Sequence, residues 1–166
     1  MRFFAIAVAA LVVFLGASAW AHSYRQGDIK IGHIWARATP PGATETAVYM
    51  PLLNAGKEKD RLVGVSSPAA RKVEIHNEAK DLGVTHMEKL DAVELEPGKP
   101  VSLRPNGMHL MVYGLKAPLK AGDMMPLTLQ FEKAGTANVE AMIEPVGAMS
   151  GDEMPMTPGA AMPGMH

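Results

Sequence analysis

Two histidines and two methionines stand at a spacing that is typical of a metal site. His76 is followed after ten residues by Met87, then after twenty-one more by His109, and Met111 stands two positions further along. Imidazole and thioether donors form a soft, uncharged set that suits zinc, calcium or magnesium poorly and monovalent copper well. The four residues therefore predict a Cu(I) site.

The same residue types also have an ordinary structural interpretation. Methionine often fills gaps in cores, and histidine is often a surface residue. The chain contains 13 Met and 6 His, and at these frequencies a quartet with this spacing arises by chance with a probability of about 0.001. The spacing of the four residues, rather than any one of them, favours the metal site.

Strand alternation predicts that these donors lie on polar faces. His109 and Met111 are two residues apart in an apolar run, so on a strand they share one face while Leu110 points to the other. His76 alternates with the apolar Ile75 in an earlier run. One face of each strand is then available for binding, and the other is available for the core.

A tight turn is predicted at residues 80–83, between the strand of His76 and the strand of Met87. If its centre lies between Asp81 and Leu82, residues whose numbers add to 163 face each other. His76 and Met87 then form a cross-strand pair with Cβ atoms about 4.5–5.5 Å apart. A slip of one residue would send Met87 to the opposite face.

The quartet resembles the pattern His-x10-Met-x21-His-x-Met of the periplasmic copper chaperones called PCuAC. The resemblance covers roughly residues 30–146 and includes segments 35–42, 60–64, 66–68, 73–76, 83–84 and 127–135. It implies a cupredoxin-like Greek-key β-sandwich that binds Cu(I) through His76, Met87, His109 and Met111. It also implies delivery of copper to the dinuclear centre of cytochrome c oxidase, with the oxidase copper subunit or its assembly factor as the partner.

The chain departs from the family pattern beside the implied ligands. Asn77 and Glu78 stand where many members have a further Met or His. The turn 104–107 reads Arg-Pro-Asn-Gly where the family tends to have Pro-Gly-Gly, and asparagine tolerates the same left-handed backbone. His86, directly before Met87, is either an alternative donor or an exposed strand residue. None of these differences removes a ligand.

The N-terminal segment predicts export to the periplasm. A basic start, an apolar stretch at residues 3–15 and the sequence Ala-Trp-Ala at 19–21 are typical of a cleavable signal peptide, residues 1–21. An uncleaved membrane anchor is the alternative, but the stretch is short for a membrane span, which needs about 20 residues. We expect no stable membrane insertion after cleavage. The copper-binding domain is then 22–146, and its first residue, His22, is a candidate secondary Cu(II) chelate.

The composition changes after residue 146. Residues 147–166 are mostly Gly, Pro, Met and Ala, with almost nothing to pack, which predicts a flexible tail. Its thioethers and terminal imidazole are candidate secondary donors, for capture of Cu(I) or for a Cu(II) site. These candidates are Met154, Met156, Met162, Met165 and His166.

The body of the chain predicts an all-β fold. Short alternating or apolar runs, separated by Gly, Pro, Asn or Asp, are typical of a two-sheet sandwich. The predicted strands are 29–37, 46–54, 61–66, 72–77, 84–90, 92–95, 101–104, 109–113, 127–132 and 138–144.

Composition and motifs exclude several function classes. The chain has no Cys, so neither a disulfide nor a Cys-centred blue-copper site is available. Its 16 basic and 17 acidic residues give no electrostatic footprint for nucleic acid. The sequence contains no nucleophile elbow, phosphate loop or His-Glu-x-x-His motif, so we expect no enzyme. A copper chaperone is the leading interpretation, ahead of a copper buffering or tolerance protein, a secreted copper-dependent redox enzyme built on His22, and a structural or adhesive sandwich.

Overall fold

The structure, a computed structural model, describes residues 23–148 as twelve β-strands with no helix. They are β1 (Tyr24–Gln26), β2 (Ile29–Ile31), β3 (Trp35–Arg37), β4 (Glu45–Asn54), β5 (Asp60–Ser66), β6 (Ala70–Asp81), β7 (Val84–Leu90), β8 (Val93–Leu95), β9 (Pro100–Leu103), β10 (Met108–Leu115), β11 (Met124–Phe131) and β12 (Gly135–Glu144). The predicted all-β class is confirmed. Across 23–148, no helix is long and apolar enough to cross a membrane.

The strands follow the order β7-β6-β10-β4-β3-β12-β11-β5-β8. Two short connections join strands that are far apart in this order: three residues link β5 to β6, and two link β7 to β8. Because an extended chain spans only about 3.3–3.6 Å per residue, the sheet must curl until its two ends approach each other. The curled sheet forms the two layers of the predicted sandwich.

The hydrophobic core lies between these layers. On β10, Leu110 and Val112 are fully buried, and on β11, Leu127 and Leu129 are buried in the same alternating manner. Met50 and Met125 are also core residues, which is the ordinary role of methionine. The methionines of the predicted site lie on the opposite side of their strands from this core.

The strand β4 takes part in two sheets. Its first half pairs with β10 and β3, whereas residues from Met50 onward pair with β9 and β2. The β3–β12 pair is parallel, and the other strand pairs described are antiparallel. Strand β4 therefore connects the sheet that carries the site to the smaller sheet formed by β1, β2 and β9.

The predicted strands differ from the structure mainly at their ends. The bounds predicted for β7 are confirmed, but the single run predicted at 29–37 is two strands separated by residues 32–34. The run predicted at 72–77 extends to 70–81, and β1 was not predicted. The predicted signal peptide 1–21 lies outside the described residues, as does the predicted tail apart from Gly147 and Ala148.

The predicted register of the β6–β7 hairpin is wrong by two residues. Leu82 and Gly83 occupy the turn with φ of 47° and 83°, as in a two-residue turn in which both central residues have positive φ. Asp81 therefore faces Val84, and paired residues add to 165 instead of 163. Met87 faces Glu78, and His76 faces Lys89. Since the shift is an even number, Met87 remains on the same face as His76.

Candidate metal centre

His76 and His109 form a cross-strand pair at the centre of the sheet. They face each other directly on β6 and β10, and their ring centroids are 6.0 Å apart. His109 is only 4% exposed, and the side chain of His76 is 12% exposed. Residues that are thirty-three positions apart in the sequence are thus neighbours on the outer face, opposite the core.

The turn before β10 fixes the orientation of His109. Asn106 has a φ of 61°, in agreement with the left-handed backbone predicted for this position. The carbonyl oxygen of Gly107 accepts a hydrogen bond from His109 Nδ1 at 2.9 Å and another from the backbone N–H of Glu78 at 3.2 Å. Because a carbonyl can only accept, His109 carries its proton on Nδ1 and leaves Nε2 as the free donor atom.

A different nitrogen of His76 is engaged. His76 Nε2 lies 3.1 Å from Glu74 Oε2, and a carboxylate accepts hydrogen bonds, so the imidazole proton lies on Nε2. Nδ1 of His76 is then free to bind a metal ion. A carboxylate that holds the second nitrogen of a ligating histidine is a common arrangement in metal sites.

Met111 lies on the same face as the two histidines. It follows His109 by two positions on β10, and its cross-strand neighbours are Glu74 on β6 and the small Ala47 on β4. Its thioether therefore extends from the outer face of the sheet beside the imidazole pair.

Met87 approaches the imidazole pair from the edge strand β7. It is 59% exposed and lies diagonally across from His76, a relation that separates residues by about 7–8 Å. The long, flexible side chain of methionine can cover such a distance. The structure therefore brings His76, His109 and Met111 together and leaves Met87 at the open margin of the group.

Glu74 is the centre of a charged cluster beside the histidines. Its Oε1 forms ion pairs with Lys89 Nζ at 3.0 Å and with Lys72 Nζ at 3.1 Å, and its Oε2 contacts His76. The hydrogen bond from Lys89, then those from His76 and Lys72, lower the pKa of Glu74 to about 2. Contact with Glu74 correspondingly raises the pKa of Lys89. Glu74 is therefore anionic at neutral pH, with both oxygens already engaged.

The rings of Tyr49 and Trp35 lie beside the histidine pair, in a row that crosses the sheet from His109. Tyr49 lies next to His109 with a centroid distance of 6.4 Å, and Trp35 lies 4.6 Å from Tyr49. The guanidinium of Arg37 is 5.9 Å from both ring centroids. Burial raises the pKa of Tyr49, although Arg37 opposes the shift. These rings lie on the side of the site next to His109, which is 4% exposed.

The remaining candidate donors lie elsewhere or outside the described residues. His86 faces Ala79 on the opposite side of β7 from Met87, which favours an exposed strand residue over an alternative donor. His33, which the sequence did not single out as a donor, contacts Glu144 at 2.9 Å. In the described part of the chain, no three His, Cys, Asp or Glu side chains form a metal-binding group. Outside the described residues are His22, Met154, Met156, Met162, Met165 and His166.

Sequence reasoning missed several residues of the site. Glu74 precedes His76 by two positions, so strand alternation alone could have placed its carboxylate on the same face. Lys89 could also have been found, because the register first predicted, in which paired residues add to 163, sets it directly opposite Glu74. Tyr49 has no local signal in the sequence, because strand pairing alone brings it to His109.

Comparison with known proteins identifies the family. The family model described as "Putative lipoprotein LpqE-like" matches residues 29–143. The chain belongs to this PCuAC-type family. One relative, "Putative lipoprotein Lxx21020" of Leifsonia xyli subsp. xyli, is 30% identical over 133 residues, covering 80% of this chain and 79% of the relative.

Solved structures of similar domains include copper-bound forms. The copper-bound PCuAC domain from PmoF2 matches with 34% identity and a TM-score of 0.65, covering 75% of this chain and 98% of that domain. The Cu(I) form of DR1885 from Deinococcus radiodurans matches with 28% identity and a TM-score of 0.56, covering 76% and 83% of the two chains. The predicted cupredoxin-like fold is confirmed by these neighbours.

Proposed function

We propose that this PCuAC-type protein is a periplasmic copper chaperone that binds Cu(I) through His76, Met87, His109 and Met111. The direct pairing of His76 with His109 on the outer face, with Met111 beside them, carries the proposal. The copper-bound state of the similar PmoF2 domain and the Cu(I)-bound state of DR1885 support it. The neutral donor set suits a monovalent soft ion.

The arrangement also supports release of the ion to a partner. Three of the donors lie on a firmly paired sheet, whereas Met87 lies on an exposed edge strand. An acceptor thioether, thiol or imidazole can therefore approach from the side of Met87 and replace it first. Exchange of one ligand at a time requires no unfolding of the sandwich.

We propose the dinuclear copper centre of cytochrome c oxidase as the destination, reached directly or through an assembly factor. This choice rests on the resemblance to the PCuAC chaperones. A buffering or tolerance role is the second candidate, since an exposed Cu(I) site holds copper whether or not an acceptor is present. A redox enzyme is less favoured, because two thioethers stabilise Cu(I) and oppose turnover with O2. Secondary binding of Cu(II) at His22 or in 147–166 remains part of the proposal.

The proposal predicts that the two site methionines are needed for Cu(I) binding. Anaerobic titration against a colorimetric Cu(I) chelator should give one tight site in the wild type. The Met87→Ala/Met111→Ala variant should lose more affinity than the about 10–100-fold typical of a mutated outer-shell partner. A matched control is Met124→Ala/Met142→Ala, which removes two facing methionines from β11 and β12.

The same samples separate delivery from buffering. Cu(I)-loaded wild type is mixed with the copper-free soluble domain of the oxidase copper subunit, and the copper content of each protein is measured after separation. Transfer to the acceptor supports delivery, whereas retention by the loaded protein supports buffering. Equal Cu(I) affinity of the wild type and the site variant would contradict the proposed ligands.

A further inference from the structure

We propose that the open edge of β7 is a docking surface for a second copy of this chain. The second copy adds its own β7 in the antiparallel direction, with Met87 of one copy facing Met87 of the other. Strand addition at a sheet edge is a common mode of recognition. The inference concerns the backbone edge and the side chains of β7, and it does not depend on copper binding.

Strand β7 ends the sheet and is poorly protected. It pairs with β6 on one side, and within the described residues no strand pairs with its other edge. Proteins protect such edges with short strands, prolines or lysines. The strand β8 at the other end of the order has only three residues, whereas β7 has seven, six of them exposed and none of them proline. Its one lysine, Lys89, is directed to Glu74 on β6, at 3.0 Å.

The turn determines which backbone groups of β7 point to the open edge. Asp81 and Val84 flank the two-residue turn and face each other, and in such a turn the carbonyl of the first residue accepts a hydrogen bond from the N–H of the fourth. Hydrogen-bonded and non-hydrogen-bonded residues then alternate along the strand, so every second residue from Val84 onward bonds to β6. The residues between them, Thr85, Met87 and Lys89, direct their N–H and C=O groups to the open edge.

One antiparallel register uses all three of these outward-facing residues. When Met87 faces Met87, Thr85 of each copy faces Lys89 of the other, which gives three hydrogen-bonded pairs across the junction. A shift of two residues in either direction sets Thr85 or Lys89 opposite a residue beyond the ends of β7. Backbone hydrogen bonding therefore selects the register centred on Met87.

The side chains of β7 are complementary to each other in the same register. His86 of each copy faces Glu88 of the other, and the imidazole can donate a hydrogen bond to the carboxylate. Val84, which is 56% exposed, faces Leu90. A shift of two residues in one direction would set Glu88 opposite Glu88, and facing like charges are destabilising. The edge is thus self-complementary, as a two-fold dimer requires.

Docking in this register would join two copper sites, a consequence that rests on the proposed function. Both Met87 side chains then lie on the same outer face, with Cβ atoms about 4.5–5.5 Å apart. A Cu(I) ion exchanges the thioether of one Met87 for that of the other, with no change in oxidation state. Copper therefore passes between copies without release to solution.

The test uses copper-free protein, so that its failure is separate from failure of the proposed function. Because the chain has no Cys, His86→Cys and Glu88→Cys each introduce a single thiol at an exposed position. The two variants are mixed in equal amounts with oxidised glutathione, and disulfide-linked dimers are identified by mass. We expect the mixed dimer to exceed its statistical share, because facing Cβ atoms about 4.5 Å apart are within reach of a disulfide.

A mixture of Asp28→Cys with Glu88→Cys is the matched control, since Asp28 is exposed but lies outside β7. It should give only the statistical mixture. Circular dichroism of each variant establishes that it is folded. A statistical mixture from His86→Cys and Glu88→Cys would overturn the proposal and leave the edge of β7 to a strand of another protein.

Sedimentation equilibrium of variants without cysteine tests the register by charge. His86→Glu sets two carboxylates opposite each other twice in the dimer, so it should weaken dimerisation by about 5-fold or more. Adding Glu88→Lys restores opposite charges at both places and should restore dimerisation. A dimer that forms equally well in the wild type and in His86→Glu would contradict docking through β7.

Discussion

At the scale of single residues, His76 and His109 differ in the nitrogen that each leaves free. Glu74 engages Nε2 of His76, and the Gly107 carbonyl engages Nδ1 of His109. We therefore expect opposite tautomers in the copper-free protein at pH 8: Nε2–H for His76 and Nδ1–H for His109. Long-range 1H–15N NMR reads these states directly, and addition of Cu(I) should perturb Nδ1 of His76 and Nε2 of His109.

The exposed His86 serves as an internal reference for that spectrum, since it faces away from the site on β7. A His109 ring protonated on Nε2 in the copper-free protein would contradict the assignment. The quartet of proposed ligands was predicted from residue type and spacing, and strand alternation correctly predicted that His109 and Met111 share one face. These patterns could not predict the free nitrogens, because those depend on a turn carbonyl and on a carboxylate held by two lysines.

At the scale of elements, the β6–β7 hairpin shows what periodicity can and cannot predict. Alternation predicted the bounds of β7 and the face of Met87. The pairing register depends on the turn, and a turn at Leu82 and Gly83 shifts it by two residues from the expected one. A sequence pattern of period two is unchanged by such a shift, so only turn chemistry could have selected the correct partner for His76.

The turn glycine should therefore control the placement of Met87. Gly83 has a φ of 83°, and a Cβ added there meets nothing within 4 Å, so Gly83→Ala introduces backbone strain without a clash. The left-handed conformation costs a non-glycine residue about 1–2 kcal/mol. We expect faster amide hydrogen exchange in β7 and weaker Cu(I) binding, because the hairpin opens more often and withdraws the Met87 donor.

Gly122→Ala provides the control for this strain. Gly122 also has a positive φ, 92°, with nothing near the added Cβ, but it precedes β11 and does not belong to the hairpin. It should leave exchange in β7 and Cu(I) affinity unchanged. If Gly83→Ala alters neither quantity, the hairpin turn does not position the fourth ligand.

At the scale of the whole molecule, the all-β class could be predicted and the strand order could not. The run 46–54 was recognised, but the change of partners in the middle of β4 has no signal in a local pattern. The approach of the sheet ends follows from the short β5–β6 and β7–β8 connections only when the strand order is known. Long-range pairing, which places Tyr49 beside His109, is a property of the folded chain.

The fold has no disulfide, since the chain has no Cys, and Asp60 is one of the side chains that hold its strands together. Asp60 is 5% exposed. Its Oδ1 accepts the N–H groups of Arg61 at 2.7 Å and Lys133 at 2.9 Å, and Oδ2 accepts that of Ala134 at 2.9 Å. It thereby joins the start of β5 to the β11–β12 turn. Burial alone would raise the pKa of Asp60, but the three N–H groups and the charge of Lys133 bring it below its usual value.

Replacement of Asp60 by asparagine should therefore destabilise the protein in a pH-dependent manner. The amide nitrogen of asparagine cannot accept a hydrogen bond, so a buried N–H loses its partner, at a cost of about 1–3 kcal/mol at pH 7. Because the pKa of Asp60 is lower in the folded state than in the unfolded state, its ionised form stabilises the fold above about pH 4. That advantage is lost as the pH falls through the folded-state pKa. Urea unfolding of wild type and Asp60→Asn from pH 7 to pH 3 should show that the difference between their free energies of unfolding becomes smaller at the acid end. The control is Asp28→Asn, a change at an exposed position, whose free energy of unfolding should stay within about 0.5 kcal/mol of the wild type at pH 7. If the difference in free energy of unfolding between wild type and Asp60→Asn is constant with pH, ionisation of Asp60 does not stabilise the connection between β5 and the β11–β12 turn.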